Sequence, residues 1–519
     1  MSSKKYVNFS KSSLSSLIRT LRGDLCALFP LEDDDDFLHW ISWLVTNGKK
    51  EYDSIAEDAL LSSFLASKDE KYGISILQRV IYEARFDVQD VFVLPDKKIE
   101  FLQWFYTHGV EEHKLWHWLS DAQKDLVMSQ DDPWPKRIEA GLKKIPQQKT
   151  YVAFEKREFG VNLIGYVFGQ LGIGEDVRMA ARAMLSADVP FTMIDFPPGD
   201  DIPQNDRSME KYASKEGEFA FNIFCMTALE NGRFFAERGK SQLEGRYNIG
   251  YWPWELSKWP KEWEQVVGIV DEIWVSTKHT YDSVAPAASV PVYVMPMAVE
   301  LGKISKKSRK DFGLPKSTKL FCFSFDLNSS IHRKNPQACV DAFLKAFPQE
   351  NSDNVGLVVK VHPPKGKHKE WEKLKKLALS DSRIHIIEKT LSREDLLALY
   401  ASCDCFLSLH RAEGFGRGIA EALQLGLHVI ATDYSGNVDF CHEPYANLVK
   451  YKLVKIKNGQ YPFSEGQIWA NADINHAAKL MQEFVHTPRK KTEREWPQFS
   501  TKTVGERYKN RLLEICKGE

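Results

Sequence analysis

Over the first 145 residues apolar side chains return at helical intervals and no convincing strand pattern occurs. Two stretches, FLHWISWLVTNG (37–48) and FLQWFYTHG (101–109), match each other when Trp43 is set on Trp104: Trp40 meets Phe101, Ile41 meets Leu102, Thr46 meets Thr107 and Gly48 meets Gly109. Each reads as an apolar helix closed by a glycine in the left-handed conformation. Two core helices built alike is the favoured reading, ahead of a duplicated binding unit. The run Asp33–Asp36 reads as a solvated helix start, where carboxylates favour the dipole, rather than a cation loop.

The polar, proline-bearing stretch 131–150 reads as a linker. Beyond it short β-rich runs alternate with helical ones. VNLIGYVF (161–168) predicts a strand and GEDVRMAARAML (174–185) a helix, followed by the strands FAFNIFCM, RYNIGYW, DEIWVS and PVYVMPM. A second series runs through KLFCFSFD (319–326), VGLVVKV, RIHII, CFLSL and HVIATD. Strand followed by helix, twice over, predicts two doubly wound parallel α/β domains after an all-α region, with ligands beyond the carboxyl ends of the strands. The expected divisions are 1–145 helical, 146–305 and 306–495 α/β, and a terminal segment 496–519.

Composition narrows the class. Of 519 residues 43% are hydrophobic and 27% charged, and 70 Lys and Arg face 71 Asp and Glu, so no global charge points to nucleic acid. No run of eighteen apolar residues occurs, and a cytoplasmic protein is expected. Eight cysteines without paired CxxC spacing read as buried reduced thiols, and His279 and His410 lack metal-ligand spacing.

Chemistry concentrates in HRAEGFGRGIAEALQLG (410–426). CFLSL predicts a strand and IAEALQLG a helix, so HRAEGFGRG is a turn feeding a helix N-terminus. Backbone N–H groups near Gly416, Arg417 and Gly418 suit phosphate oxygens there. Glu413 and Glu421 would repel phosphate, but carboxylates accept from paired sugar hydroxyls. Eight helical steps of about 1.5 Å place them roughly 12 Å apart, enough for one at each end of a sugar diphosphate. The plainer alternative is a glycine turn followed by an exposed helix glutamate.

AEGFGRGIAEAL with GLHVIATDYSGNVDF (426–440) resembles the donor-binding signature of retaining GT-B glycosyltransferases of the large metal-independent sucrose-synthase-like and mannosyltransferase-like family. The resemblance also takes in GYVFGQLGIGEDVRMAARAM (165–184), IGYWPWELSKWPKEW, DEIWVST, FDLNSSIHRKNPQACVDAF (325–343) and LSREDLLALYASCDCFLSL, about 160–480 in all. Its tryptophan-rich segment and RKNP look most like bacterial enzymes of O-antigen and other surface polysaccharides.

The resemblance implies a GT-B fold with its acceptor domain first, its donor domain second and a last helix, TKTVGERYKNRLLEIC, crossing back. It implies transfer of a hexose or deoxyhexose from a nucleotide-diphosphate sugar, with the UDP, GDP or dTDP form left open, to a glycan or lipid-linked acceptor. No cofactor, metal or nucleic acid is expected, and peripheral contact with the inner face of a membrane stays open. Glu413 would bind donor-sugar hydroxyls and Glu421 the ribose, with Phe415, Gly416 and Arg417 lining sugar and phosphates through their backbone. Lys334 would neutralise the departing diphosphate.

Two positions depart from the family pattern. Asn328 stands where an arginine is usual, leaving Arg333 as the substitute, and Glu255 follows Trp252-Pro253-Trp254 where many members carry a histidine. Glu255 has a role at the reacting sugar or a plain helix-start role as equal alternatives. Gly172 and Gly174 resemble the family's glycine turn. Lys360, in VVKVHPP, reads more readily as a solvated strand-end lysine than as a phosphate ligand. A non-catalytic nucleotide-sugar or glycan-binding module and a nucleotide-sugar epimerase or phosphorylase on the same fold are the rival readings.

Overall fold

The computed structural model describes residues 14–31, 34–121, 123–124, 152–198, 202–239, 242–327, 329–349, 354–363, 368–487 and 495–518. The 131–150 stretch and Asn328 lie outside them. The chain forms two units: Met1–Glu158 with Ala228–Asn248 and Gln265–Ile269, and Phe159–Thr227 with Ile249–Glu264 and Val270–Glu519.

The first unit is helical. Helices Asp34–Trp43 and Lys98–Trp104 do not end at Asn-Gly and His-Gly. Each runs through a π turn, Leu44–Gly48 or Phe105–Gly109, into a further short helix, Lys49–Glu51 or Val110–Glu112. Gly48 (φ −55°) and Gly109 (φ −61°) are right-handed, which corrects the expected left-handed stop. Glycine there leaves space for a ring: a Cβ would lie 2.9 Å from the Trp43 ring at Gly48 and 3.2 Å from the Trp104 ring at Gly109.

The likeness of the two segments extends well beyond these helices. Arg22 caps Gly23–Leu28 and grips Asp24, Glu51 and Tyr52; Arg85 caps Phe86–Val91 and grips Asp87, Glu112 and His113. Phe29 lies 6.3 Å from Trp43, and Phe92 lies 6.3 Å from Trp104. The helical unit is therefore a tandem repeat, each half carrying one π turn and one arginine clamp. Both halves share a core containing Trp40, Ile41, Leu44, Phe101, Phe105 and Leu115, and Ala236 of the helix Ala228–Arg238 belongs to it.

The second unit holds two parallel sheets. The first contains β1 (Val161–Gly165), β2 (Phe191–Asp195), β3 (Ala213–Ser214), β4 (Phe221–Cys225), β5 (Tyr247–Tyr251), β6 (Glu272–Val275) and β7 (Val292–Val294), in the order β3-β2-β1-β4-β5-β6-β7. The second contains β8 (Lys319–Asp326), β9 (Val355–His362), β10 (Ile384–Glu388), β11 (Cys405–Ser408), β12 (His428–Thr432) and β13 (Ala446–Val449), in the order β10-β9-β8-β11-β12-β13. An antiparallel hairpin, β14 (Tyr451–Lys455) and β15 (Ile468–Ala472), follows. β1, β4 and β12 are buried along their whole length, as strands covered by helices on both faces must be.

β2, β3, β13 and the hairpin escaped the sequence reading. β14 is largely exposed and its polar composition hides it. Of the eight cysteines, all free, six are buried, whereas Cys26 is half-buried and Cys516 exposed.

Helix Thr501–Lys517 packs against Gly172–Ser186, where a Cβ on Gly505 would lie 2.1 Å from the Ala183 carbonyl oxygen. Arg511 ties it to the fully buried Glu272 of β6 at 2.9 Å. Among the described residues no helix is long and apolar enough to cross a membrane.

Candidate functional site

β8 and β11 are neighbours, and the strand order runs outward from them in both directions. This reversal is a topological switch point, and ligands of such sheets bind beyond the carboxyl ends of the strands there. After β8 comes the short helix Ile331–Lys334, capped by Ser330, whose Oγ accepts from Arg333 N at 3.2 Å. Asn335 is left-handed (φ 53°, ψ 51°) and turns the chain so that Pro336 can start helix Pro336–Ala346. Its side-chain amide donates to Leu409 O at 2.9 Å, fixing this turn to the end of β11.

Arg333 and Lys334 thus meet Glu413, from the loop after β11. Lys334 Nζ donates to Glu413 Oε1 at 2.5 Å, and Arg333 Nη1 stands 3.1 Å from Oε2. Arg333 Nη1 also donates to Ala412 O at 3.0 Å, and its Nη2 lies 3.5 Å from Glu255 Oε1. Tyr461, from the β14–β15 loop, donates to Glu255 Oε2 at 2.7 Å. Burial pushes the Glu413 carboxyl upward, but Lys334 and Arg333 outweigh it and hold it down at about 2. Burial opposes the Arg333 charge, yet Glu413 and Glu255 more than compensate and raise it. Arg333 Nε is buried without a hydrogen-bond partner among the described residues.

The glycine turn is shaped by close backbone approach. A Cβ on Gly436 would fall 2.1 Å from Gly414 O, and one on Gly414 would fall 2.7 Å from Trp254 O. Gly436 N donates to Glu413 O, and Glu413 N donates to Ser435 Oγ, both at 2.9 Å. Gly416 is left-handed (φ 95°) and leads into helix Arg417–Gln424, as the sequence placed it. Phe415 is buried against Phe440 and Phe499. Gly418 would bring a Cβ to 3.4 Å from Phe406.

Glu421 is not an exposed helix glutamate: it is 2% exposed and pairs with Arg393 at 2.7 Å. The Arg417 side chain reaches into the first sheet's half of the unit, where Nη2 donates to Asp176 Oδ1 at 2.5 Å. Asp176 belongs to helix Gly172–Ser186, which starts at the predicted glycine turn. Gly174 is needed there, since a Cβ would meet Gly169 O at 2.3 Å, whereas Gly172 faces open space.

Lys360 is corrected from a solvated strand end to a buried position within β9, 8% exposed, where desolvation lowers its pKa against the pull of Asp326. Among the described residues no group of three His, Cys, Asp or Glu could hold a metal. His410 is fully buried, 3.0 Å from both Ser408 Oγ and Asn437 Oδ1, and burial keeps it neutral-leaning.

Tyr461, Arg393 and Asp176 were missed. None carries a local signal, because each acts on a residue 28 to 241 positions away along the chain.

Residues 306–450 match the family described as Glycosyl transferases group 1. That stretch is similar to a group 1 glycosyl transferase domain. The domain contains Arg333, Lys334, Glu413 and Glu421, while Glu255 and Tyr461 lie outside the matched residues. Among solved structures, a sucrose-phosphate synthase from Thermosynechococcus elongatus is similar at 14% identity, with 69% of this chain and 100% of that chain covered and a TM-score of 0.48. HepE of Anabaena in complex with UDP-glucose matches at 12% identity over 69% of this chain and 100% of that one, TM-score 0.45. The lipopolysaccharide outer core galactosyltransferase WaaB, in apo form, matches at 11% over 69% and 99%, TM-score 0.44. A search of curated protein sequences found no match. The matched residues carry the second parallel sheet, β8 to β13.

Proposed function

We propose that this protein is a retaining glycosyltransferase that moves a hexose or deoxyhexose from a nucleotide-diphosphate sugar to a hydroxyl of a glycan or lipid-linked glycan, in surface polysaccharide synthesis. The observation that carries the reading is the Glu413 carboxylate held between Lys334 and Arg333 at the β8–β11 crevice of a group 1 glycosyl transferase domain.

In this reading the sugar hydroxyls take the carboxylate's remaining acceptor capacity. Lys334 and Arg333 then face the diphosphate, where negative charge grows as the glycosidic bond breaks. The backbone of Phe415, Gly416, Arg417 and Gly418 leads into a helix N-terminus and offers N–H groups to the phosphates. Glu421, at the far end of the turn, reads the ribose. Glu255 replaces the family's histidine at the sugar, and Tyr461 orients it. Gly172 and Gly174 bring backbone to the opposite side of the ligand, while buried Lys360 contributes to the local potential.

Arg333 is already shared between Glu413 and Glu255, which favours a binding module as the second reading. The two separate on experiment. A thermal-shift screen of UDP, GDP, dTDP and CMP sugars should single out one base, because selective binding stabilises the fold. With that donor labelled, Lys334→Ala should lower turnover by about 10²–10³-fold and leave the product's anomeric configuration retained. A chain that binds the donor but transfers equally, or not at all, with and without Lys334 and Glu413 is a binding module; product analysis exposes an epimerase.

A further inference from the structure

The helical repeat carries a cluster of basic side chains around Lys49. Lys49 stands directly after the first π turn, and Val110, fully buried, occupies the same place in the second repeat. The Lys49 ammonium donates to His113 O and lies 5.2 Å from the Trp118 ring, leaving two of its three N–H groups without a hydrogen bond among the described residues. The His117 ring packs 4.3 Å from that same Trp118 ring, and its Nε2 is buried without a partner among the described residues.

The charged groups that act on Lys49 and on His117 are lysines. Burial is the first cause that lowers Lys49, to about 8, and Lys50 and Lys114 lower it further. Burial likewise brings His117 to about 4, with Lys49 and Lys124 adding to the effect. His113 is lowered by burial against the pull of Glu112. Glu112 and Glu51 are held by the two arginine clamps, and Asp121 stands 3.5 Å from Lys124. A partly buried ammonium beside lysines, without a carboxylate of its own, carries a desolvation cost that an incoming anion would relieve.

We propose that Lys49 and His117 form a second ligand site of this protein, which binds a phosphate group presented by a soluble phosphoester or by a lipid headgroup. Four lysines converge on it, so a doubly charged phosphate fits better than a singly charged carboxylate. The Lys49 ammonium supplies the charge, the His117 Nε2 a hydrogen bond, and the exposed Lys50 and Lys114 draw the ligand in.

The test uses the full-length chain in a Lys334→Ala background, so that phosphate held at the Glu413 crevice does not contribute. Inorganic phosphate is titrated calorimetrically, and flotation is measured with phosphatidylcholine vesicles with and without phosphatidic acid. Lys49→Val, which installs the second repeat's own residue, should fold with an unchanged or higher melting temperature and lose about tenfold or more in affinity. His117→Gln, which keeps a hydrogen-bonding group, should bind more tightly than His117→Ala. Loss confined to calorimetry assigns a soluble ligand; loss confined to phosphatidic acid flotation assigns a headgroup. Absence of binding in both arms, or binding that Lys49→Val leaves intact, overturns the proposal.

Discussion

At Glu413 two opposing effects meet. Burial disfavours its charge, and two cations within 3.1 Å restore it. A carboxyl held at about 2 in the fold against an ordinary value of 4.5 binds fewer protons folded than unfolded around pH 3 to 4. The stability it lends is complete above the ordinary value and drains away as pH falls toward 2. Circular dichroism on acidification should therefore show Glu413→Gln losing less stability than wild type between pH 4.5 and 2. An equal loss in both proteins would mean the pairing contributes nothing. The Glu–x7–Glu spacing was readable and so was Lys334; that both acids are already paired with cations was not, because Arg393 and Arg333 approach through folding.

At the scale of elements, backbone proximity governs the glycine turns. The sequence placed the turn at Gly416 before its helix, whereas Gly172 and Gly174 lie within the first turn of helix Gly172–Ser186, and it could not say which glycine is indispensable. Gly174→Ala would drive a Cβ to 2.3 Å from a carbonyl oxygen, whereas Gly172→Ala meets nothing within 4 Å. Differential scanning should show Gly174→Ala destabilised by about 1–3 kcal/mol and Gly172→Ala within about 1 kcal/mol of wild type. If Gly172 backbone faces the donor, Gly172→Ala loses transfer with its stability intact, and an active Gly172→Ala would remove it from the site.

The helix-stop reading at Gly48 and Gly109 failed for a related reason. Glycine there makes room for a tryptophan five residues earlier, and one-dimensional spacing does not distinguish space from a positive φ. The alignment of the two segments was correct and too short. Its decisive members, Arg22 with Glu51 and Arg85 with Glu112, lie 29 and 27 residues apart.

At the scale of the whole chain, the helical unit recruits 228–248, so it is not a removable N-terminal piece. In helix Ala228–Arg238 a Cβ on Gly232 would lie 3.1 Å from Leu17, Ala236 joins the helical core, and Ser54 Oγ donates to Ala236 O at 2.5 Å. Deleting 1–150 would uncover that face and leave Gly232 and Ala236 without the helices they pack on. Size-exclusion chromatography should find the truncated protein aggregated; a monodisperse truncation with a normal melting temperature would show the helix able to stand without its partners.

Hydrophobic period is a local property, and it determined the all-α start, ten of the strands in two parallel sheets, and the glycine turn between two glutamates. Those follow from which residues can be buried in a helix or a doubly covered strand. The pairing of each charge, the tandem repeat with its arginine clamps, and the recruitment of 228–248 depend on groups far apart in sequence. They were decided only when folding brought those groups within a few ångströms, where desolvation makes a partner obligatory.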